Sequence, residues 1–438
     1  MLKIRKMLTI ANLKQFNAVL LLAMLLLTLI TALLPQIQIA LFNKNVLIPN
    51  ISIKAMILLL IALSFLWICG SKNREYIKDN KSVFGLFILY FIYIACVSVL
   101  FVRFGLSSGF VVFSMNSYYF FLLIIPFVLL MNVNVSSVKI MWIFLAFAIP
   151  LSMIGIVQHL TNQPLLPLAS ADGQFSINSW QFGNHVRAFS LFDSGLDFGH
   201  YLSICAAFVV SMITIKRKKM ITMNSIMLIL FSITIYTTLT RNIYIEYLFS
   251  IICVLIVYLF INKKYLAVLP IVLYLFGLLI NNIAPLMAKI YHQHSIFNLE
   301  TYITRQNEWI TVRNVWLGQG YIKALFGTGF IQSDKYELTR NLLIDNSVLA
   351  VGLHTGIVGL IFYLLIMWLC WMYCVKVTTS KQNVFNIALT GFFSTWALTG
   401  IFNINFSTYA VVFILFLLGN SERMKFIDKN QYILWKNE

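Results

Sequence analysis

The chain has 438 residues, 60% of them hydrophobic and only 11% charged, with a mean hydropathy of +0.87 and a formal net charge of +18. That balance excludes an ordinary soluble domain. Solid runs of Leu, Ile, Phe and Val about 20 residues long, without the alternation of a barrel strand, exclude a membrane β-barrel and call for spanning helices.

Twelve spans are predicted, at 18–34, 53–69, 84–102, 117–131, 140–157, 198–215, 225–239, 243–261, 265–283, 347–375, 384–402 and 406–418. The fold class is an all-α polytopic membrane helix bundle, a single integral membrane domain over 1–438. Two larger outer loops, 158–197 and 284–346, are expected to contain short amphipathic helices. Roughly two-thirds of the 32 Lys and Arg fall on one side of these spans. The positive-inside rule puts that side, with both termini, in the cytoplasm. The basic excess is therefore topogenic and faces lipid headgroups, so nucleic acid is not an expected partner.

Along the chain, residues 1–17 are basic and lead into a retained first span, since no small-x-small cleavage site follows. Lys72, Arg74, Lys78 and Lys81 mark the next internal connection, and Arg103 anchors the outer end of the third span. The 158–197 loop mixes Pro164, Pro167, Gly, Asn, Ser and aromatic residues around His185 and Arg187, with His200 opening the next span. The apolar run 225–261 is too long for one span, so it folds back at Thr240-Arg241-Asn242. Arg241 at that turn either faces the bundle interior as a functional group or reaches headgroups from a helix end. Glu246, five residues on, is not on its helical face.

In the 284–346 loop, Arg305, Trp309, Val312 and Trp316 form one stripe of an amphipathic helix that Gly318 stops. Gln306 and Arg313 lie elsewhere around it. A tight Gly327-Thr328-Gly329 turn follows, and Asp345 is the predicted N-cap of the span beginning at 347. Gly352, Gly356 and Gly359 predict close packing of the outer half of that span on a neighbouring helix. His354, between them, is either a polar packing residue or a proton carrier.

All six cysteines (Cys69, Cys96, Cys205, Cys253, Cys370 and Cys374) fall within spans and read as small core residues. Neither Cys370-x-x-x-Cys374 nor His292-x-His294 has the partners a metal needs, so no metal and no cofactor are expected. All six histidines lie on or near the outer side, and no phosphate-binding glycine loop marks the cytoplasmic face. A reaction would therefore run outside, on a donor carrying its own activation. Outer-loop arginines suit a diphosphate through charge-assisted bidentate bonds, and their alternative role is in loop salt bridges.

Four landmarks in order carry a family resemblance. Arg187-Ala188-Phe189 leads to Gly199-His200-Tyr201-Leu202, and Thr240-Arg241 sits at an outer helix turn. Arg305 and Trp309 precede Phe326-Gly327-Thr328-Gly329, and Asp345-Asn346 precedes Gly356-Ile357-Val358-Gly359-Leu360. Over roughly 140–375 the chain resembles the O-antigen polymerase and O-antigen ligase superfamily, membrane glycosyltransferases acting on undecaprenyl-diphosphate-linked glycans. The resemblance implies a polysaccharide polymerase of the cytoplasmic membrane. Arg187, Arg241, Arg305 and Arg313 would bind the diphosphate, and Arg305, Asp345 and His354 would serve catalysis. The implied partners are the lipid-linked donor and acceptor glycans, membrane lipids, a chain-length regulator and a flippase. The ligase branch usually has histidine before the asparagine, where this chain has Asp345, which favours a polymerase over a ligase. From a different class, a flippase of the same lipid-linked units fits twelve spans equally well. The clustering of ionisable groups at the outer rim, rather than at the midplane, speaks against it.

Overall fold

A computed structural model describes residues 81–100, 136–163, 181–182, 185–192, 194–215, 221–290, 300–318, 320–327, 346–402 and 406–420. The helices are α1 (Lys81–Leu100), α2 (Ser137–Thr161), α3 (Gly195–Ile215), α4 (Ile221–Thr237), α5 (Arg241–Phe260) and α6 (Leu269–Ile290). They continue with α7 (Glu300–Gly318), α8 (Tyr321–Phe326), α9 (Ser347–Ser380), α10 (Val384–Ser394), α11 (Trp396–Phe402) and α12 (Phe406–Gly419). A helix thus stands at nine of the twelve predicted spans, with 384–402 divided at Thr395. The spans predicted at 18–34, 53–69 and 117–131 lie outside the described residues. Among the described residues, 6 helices are long and apolar enough to cross a membrane.

The segments α3, α5 and α10 pack against one another at the centre. Almost every side chain of α3 and α10 is buried, hydroxyls included, because both are surrounded by other helices. Most of their hydroxyls are bonded: Ser211 donates to the Val384 carbonyl at 2.8 Å, Ser394 to the Gly391 carbonyl at 2.7 Å, and Thr390 meets Thr378 of α9 at 2.7 Å. By contrast α4, α5 and α6 each turn a row of large apolar residues outward, Ile226, Ile229 and Ile233 on α4 among them. In water such rows would be a liability; against lipid chains they are the expected surface.

The described parts of the two larger loops differ in kind. Among its described residues the first contains an antiparallel pair, β1 (Gln181–Phe182) with β2 (His185–Val186), and 164–180, where a short helix was expected, lie outside the described residues. In the second, α7 forms with Trp309, Val312 and Trp316 buried, and Trp316 and Val312 pack on Leu353 of α9. The neighbour that the glycines of α9 admit is therefore this loop. A side chain at Gly352 would strike the Trp316 ring. Gly356 is not helical at all (φ 69°, ψ −175°), and it breaks α9 where the end of α8 comes against it. Gly327 at that end has φ 87°, and its Cα faces the carbonyl of His354, while that of Gly356 faces the Leu325 carbonyl. Two backbones meet there with no side chain between them, and only glycine allows both the contact and the positive φ. Tyr93 of α1 closes the junction by donating its hydroxyl to the Thr355 carbonyl at 2.5 Å.

Asn346, not Asp345, is the N-cap of α9. Its side-chain oxygen accepts from the amides of Val348 and Leu349 at 3.0 Å each. Both residue types make good caps, and the one directly before the first helical residue, Ser347, takes the role. Asp345 itself lies outside the described residues.

Candidate functional site

Three segments far apart in sequence converge at one end of the bundle, each anchored by a side-chain amide. The first carries Arg187. At the end of α2, the buried Gln158 accepts from the amide of Ser190 at 2.7 Å and donates to the Ser190 carbonyl at 2.6 Å. Asn162 accepts from the amide of Val186 at 2.6 Å, and Ala188 donates its amide to Thr237 at 2.9 Å. Both neighbours of Arg187 are thus fixed, one to α2 and the other to the end of α4.

The second segment carries Arg241. The turn between α4 and α5 is as tight as the sequence required, and Leu239 is forced into the left-handed region (φ 50°) to make it. Arg241 is the first residue of α5. Asn242 beside it donates to the Phe402 carbonyl at the end of α11 at 2.7 Å, and Asn346 donates to the adjacent Ile401 carbonyl at 2.9 Å. Two asparagines therefore satisfy carbonyls that the end of α11 leaves open. They also hold the starts of α5 and α9 to the same point.

The third segment is α7, which carries Arg305. Gln306 donates to the carbonyl and side-chain oxygen of Asn281 on α6, at 2.7 and 3.3 Å.

Arg187, Arg241 and Arg305 are all half-buried, and their charges act on one another. Burial first, and then the nearby Arg305 and Arg241, hold the Arg187 guanidinium below its ordinary pKa. Tyr244, one turn along α5, also lies in electrostatic reach of Arg187 and Arg241. Its hydroxyl donates to the Tyr236 carbonyl at 2.7 Å, which ties it to α4. Three guanidiniums in one half-buried site repel one another, and the repulsion falls when a polyvalent anion enters. Guanidinium N–H groups, arranged in planar forks, are the donors such an anion would meet there.

The remaining predicted residues are placed elsewhere. Arg313 is exposed on α7, lining a cleft with Asn281, Asn282, Gln306, Trp309, Ile310 and Leu349. His354 is half-buried on α9, two residues before the break at Gly356. Among the described residues no group of three or more His, Cys, Asp or Glu could hold a metal ion.

One feature inside the bundle was not predicted. His200 of α3 and Glu246 of α5 form an ion pair at 2.8 Å, with side-chain exposures of 7% and 1%. Glu246 also lies in electrostatic reach of Tyr409, whose hydroxyl bonds Thr395 and Thr399 at 2.8 and 2.7 Å. The signal available in sequence was cost: a lone histidine and a lone acid, each inside an apolar span, each needing a partner.

Comparison with protein-family models and with curated proteins finds no match to the chain.

Proposed function

We propose that this protein is a membrane glycosyltransferase that polymerises undecaprenyl-diphosphate-linked repeat units at the outer face of the cytoplasmic membrane, with both termini in the cytoplasm. The observation that carries the reading is the convergence of Arg187, Arg241 and Arg305. These are three of the four arginines that the resemblance to O-antigen polymerases assigns to the diphosphate; the fourth, Arg313, lies on the cleft of α7.

In the reaction, an acceptor sugar hydroxyl attacks the anomeric carbon of the donor glycan. The new glycosidic bond forms as the bond from that carbon to the diphosphate oxygen breaks. Undecaprenyl diphosphate leaves with the bonding electrons, and the hydroxyl proton passes to a base. The charge that grows on the leaving oxygen is what the three guanidiniums stabilise, a role that elsewhere falls to a metal ion. The stabilisation lowers the barrier because that oxygen carries more negative charge in the transition state than in the bound donor. For the base the candidates are His354 and Asp345. A flippase and a chain-length regulator are the expected partners.

Arg187→Ala, Arg241→Ala and Arg305→Ala should each abolish polymer in cells while the protein stays in the membrane at normal abundance. In a deletion strain, single lipid-linked units should accumulate exposed on the outer face. Normal polymer from two of the three variants, or units trapped on the inner face, would refute the assignment.

A further inference from the structure

The cleft beside the arginines is built for a ligand of different chemistry. Gln306, Trp309, Ile310 and Arg313 fall at i, i+3, i+4 and i+7 of α7, one continuous strip of the helix. Asn281 and Asn282 at the end of α6 form the facing wall, and Leu349 in the first turn of α9 forms the floor. The space is about 330 Å³, near the lower limit for small-molecule sites and enough for a short polar ligand.

Three properties of the lining select the occupant. The amides of Asn281, Asn282 and Gln306, with Gln306 bonded to Asn281, bring donor and acceptor groups together in a way that suits vicinal hydroxyls. Trp309, Ile310 and Leu349 offer apolar surface to a C–H face. Arg313 is exposed in the cleft, and none of the lining residues among those described is acidic. A neutral sugar would leave that guanidinium facing water, whereas a carboxylate would take its paired N–H donors in two charge-assisted bonds.

The placement fits as well. Arg305 directly precedes Gln306, and Arg313 lies eight residues further along α7, roughly 12 Å by helical rise. The cleft thus leads away from the arginine cluster along one helix. From these features we infer that the cleft is a carbohydrate subsite that reads an acidic sugar residue through Arg313, distinct from the diphosphate site to which the sequence assigned that arginine. Naming the occupant as a sugar of the substrate glycan rests on the polymerase reading above.

The test uses the full-length protein in nanodiscs of zwitterionic lipid at physiological salt, with three soluble probes: trigalacturonate, the neutral galactotriose, and tricarballylate as an acid that is not a sugar. Trigalacturonate should bind at least about tenfold tighter than galactotriose, and Arg313→Gln should erase that preference. Asn282→Ala should weaken both trisaccharides alike. Arg305→Gln should leave all of this unchanged while abolishing pyrophosphate binding, so the two sites fail or stand separately. Equal affinity for the trisaccharides, or a preference that survives Arg313→Gln, would overturn the subsite. So would tricarballylate binding as tightly as trigalacturonate in an Arg313-dependent way, or Asn282→Ala leaving both trisaccharides unaffected.

Discussion

The His200–Glu246 pair makes the sharpest stability prediction, because its two halves should not be equivalent. At 2.8 Å, with both side chains buried, the pair is charge-assisted and desolvated. Breaking a buried pair by removing one partner costs about 3–5 kcal/mol, since the other charge is left in an apolar site. His200→Leu strands the Glu246 carboxylate among α3, α5 and α12, where the nearby Tyr409 hydroxyl is already committed to Thr395 and Thr399. Glu246→Leu leaves an imidazole that can shed its proton and persist as a neutral polar group. Asp197 also remains in electrostatic reach of that imidazole.

His200→Leu should therefore lie at the upper end of that range, and Glu246→Leu nearer its lower end, about 3 kcal/mol. The double Leu variant replaces the pair with apolar volume and should fall within about 1–2 kcal/mol of the parent. A double-mutant cycle on the purified protein, followed by denaturant unfolding in a single detergent, measures this directly. The predicted coupling is large and of one sign, about 3 kcal/mol or more. Additive single effects, or a Glu246→Leu variant more damaging than His200→Leu, would show that the pair does not hold α3 to α5 as described.

Two further outcomes follow from backbone features. Gly327→Ala and Gly356→Ala each place a methyl against a backbone carbonyl across the α8–α9 junction, at a positive φ that alanine resists. Each should cost more than about 2 kcal/mol and expose the 320–327 segment to limited proteolysis; an unchanged digestion pattern would count against the junction. Asn346→Ala removes the cap bonds to Val348 and Leu349 and the bond to the Ile401 carbonyl, with an expected loss of about 2–3 kcal/mol. Asn346→Asp keeps the cap acceptor but sets a carboxylate oxygen against that carbonyl. A thermal midpoint equal to the parent's for Asn346→Asp would mean the Ile401 bond contributes nothing.

Much of the helical architecture was legible because burial in lipid leaves a strong, local mark. The hydropathy runs located the helices, and the length of 225–261 forced the turn at Arg241. The four-three-four spacing of Arg305, Trp309, Val312 and Trp316 gave α7 its buried face. What the sequence hid depends on partners distant in the chain. The hairpin at 181–186 has strands of two residues, too short to show any periodicity. The spacing rule said only that Glu246 does not face Arg241 on α5, and its partner stands on another helix, 46 residues away. At Gly352 and Gly356 a small-residue pattern did signal close approach, but no pattern distinguishes a neighbouring helix from a folded-back loop. The choice between Asp345 and Asn346 turned on a single residue of register, at the limit of what capping preferences can decide.

The anchors of the arginine site share a chemical character that bears on how it works. Arg241 is followed by Asn242, Arg305 by Gln306, and the Arg187 segment is held by Gln158 and Asn162. Each anchor is a neutral amide bonded to backbone or to another amide. Carboxylates could have made some of the same bonds, since they accept from backbone N–H groups. A carboxylate beside these guanidiniums would also pair with them, relieve their repulsion and compete with an incoming anion. Amides fix the geometry without supplying that charge, and they can donate to the Phe402 and Asn281 carbonyls, which a carboxylate cannot. The chain does use an acid nearby, at Glu246, but it lies beyond the first turn of α5 and is paired with His200. Introducing the competing charge tests this division. Asn242→Asp should weaken pyrophosphate binding by about tenfold or more, whereas Asn242→Ala, which loses only the anchor, should weaken it less. If the alanine variant binds as poorly as the aspartate, the amides matter for position alone and not for their neutrality.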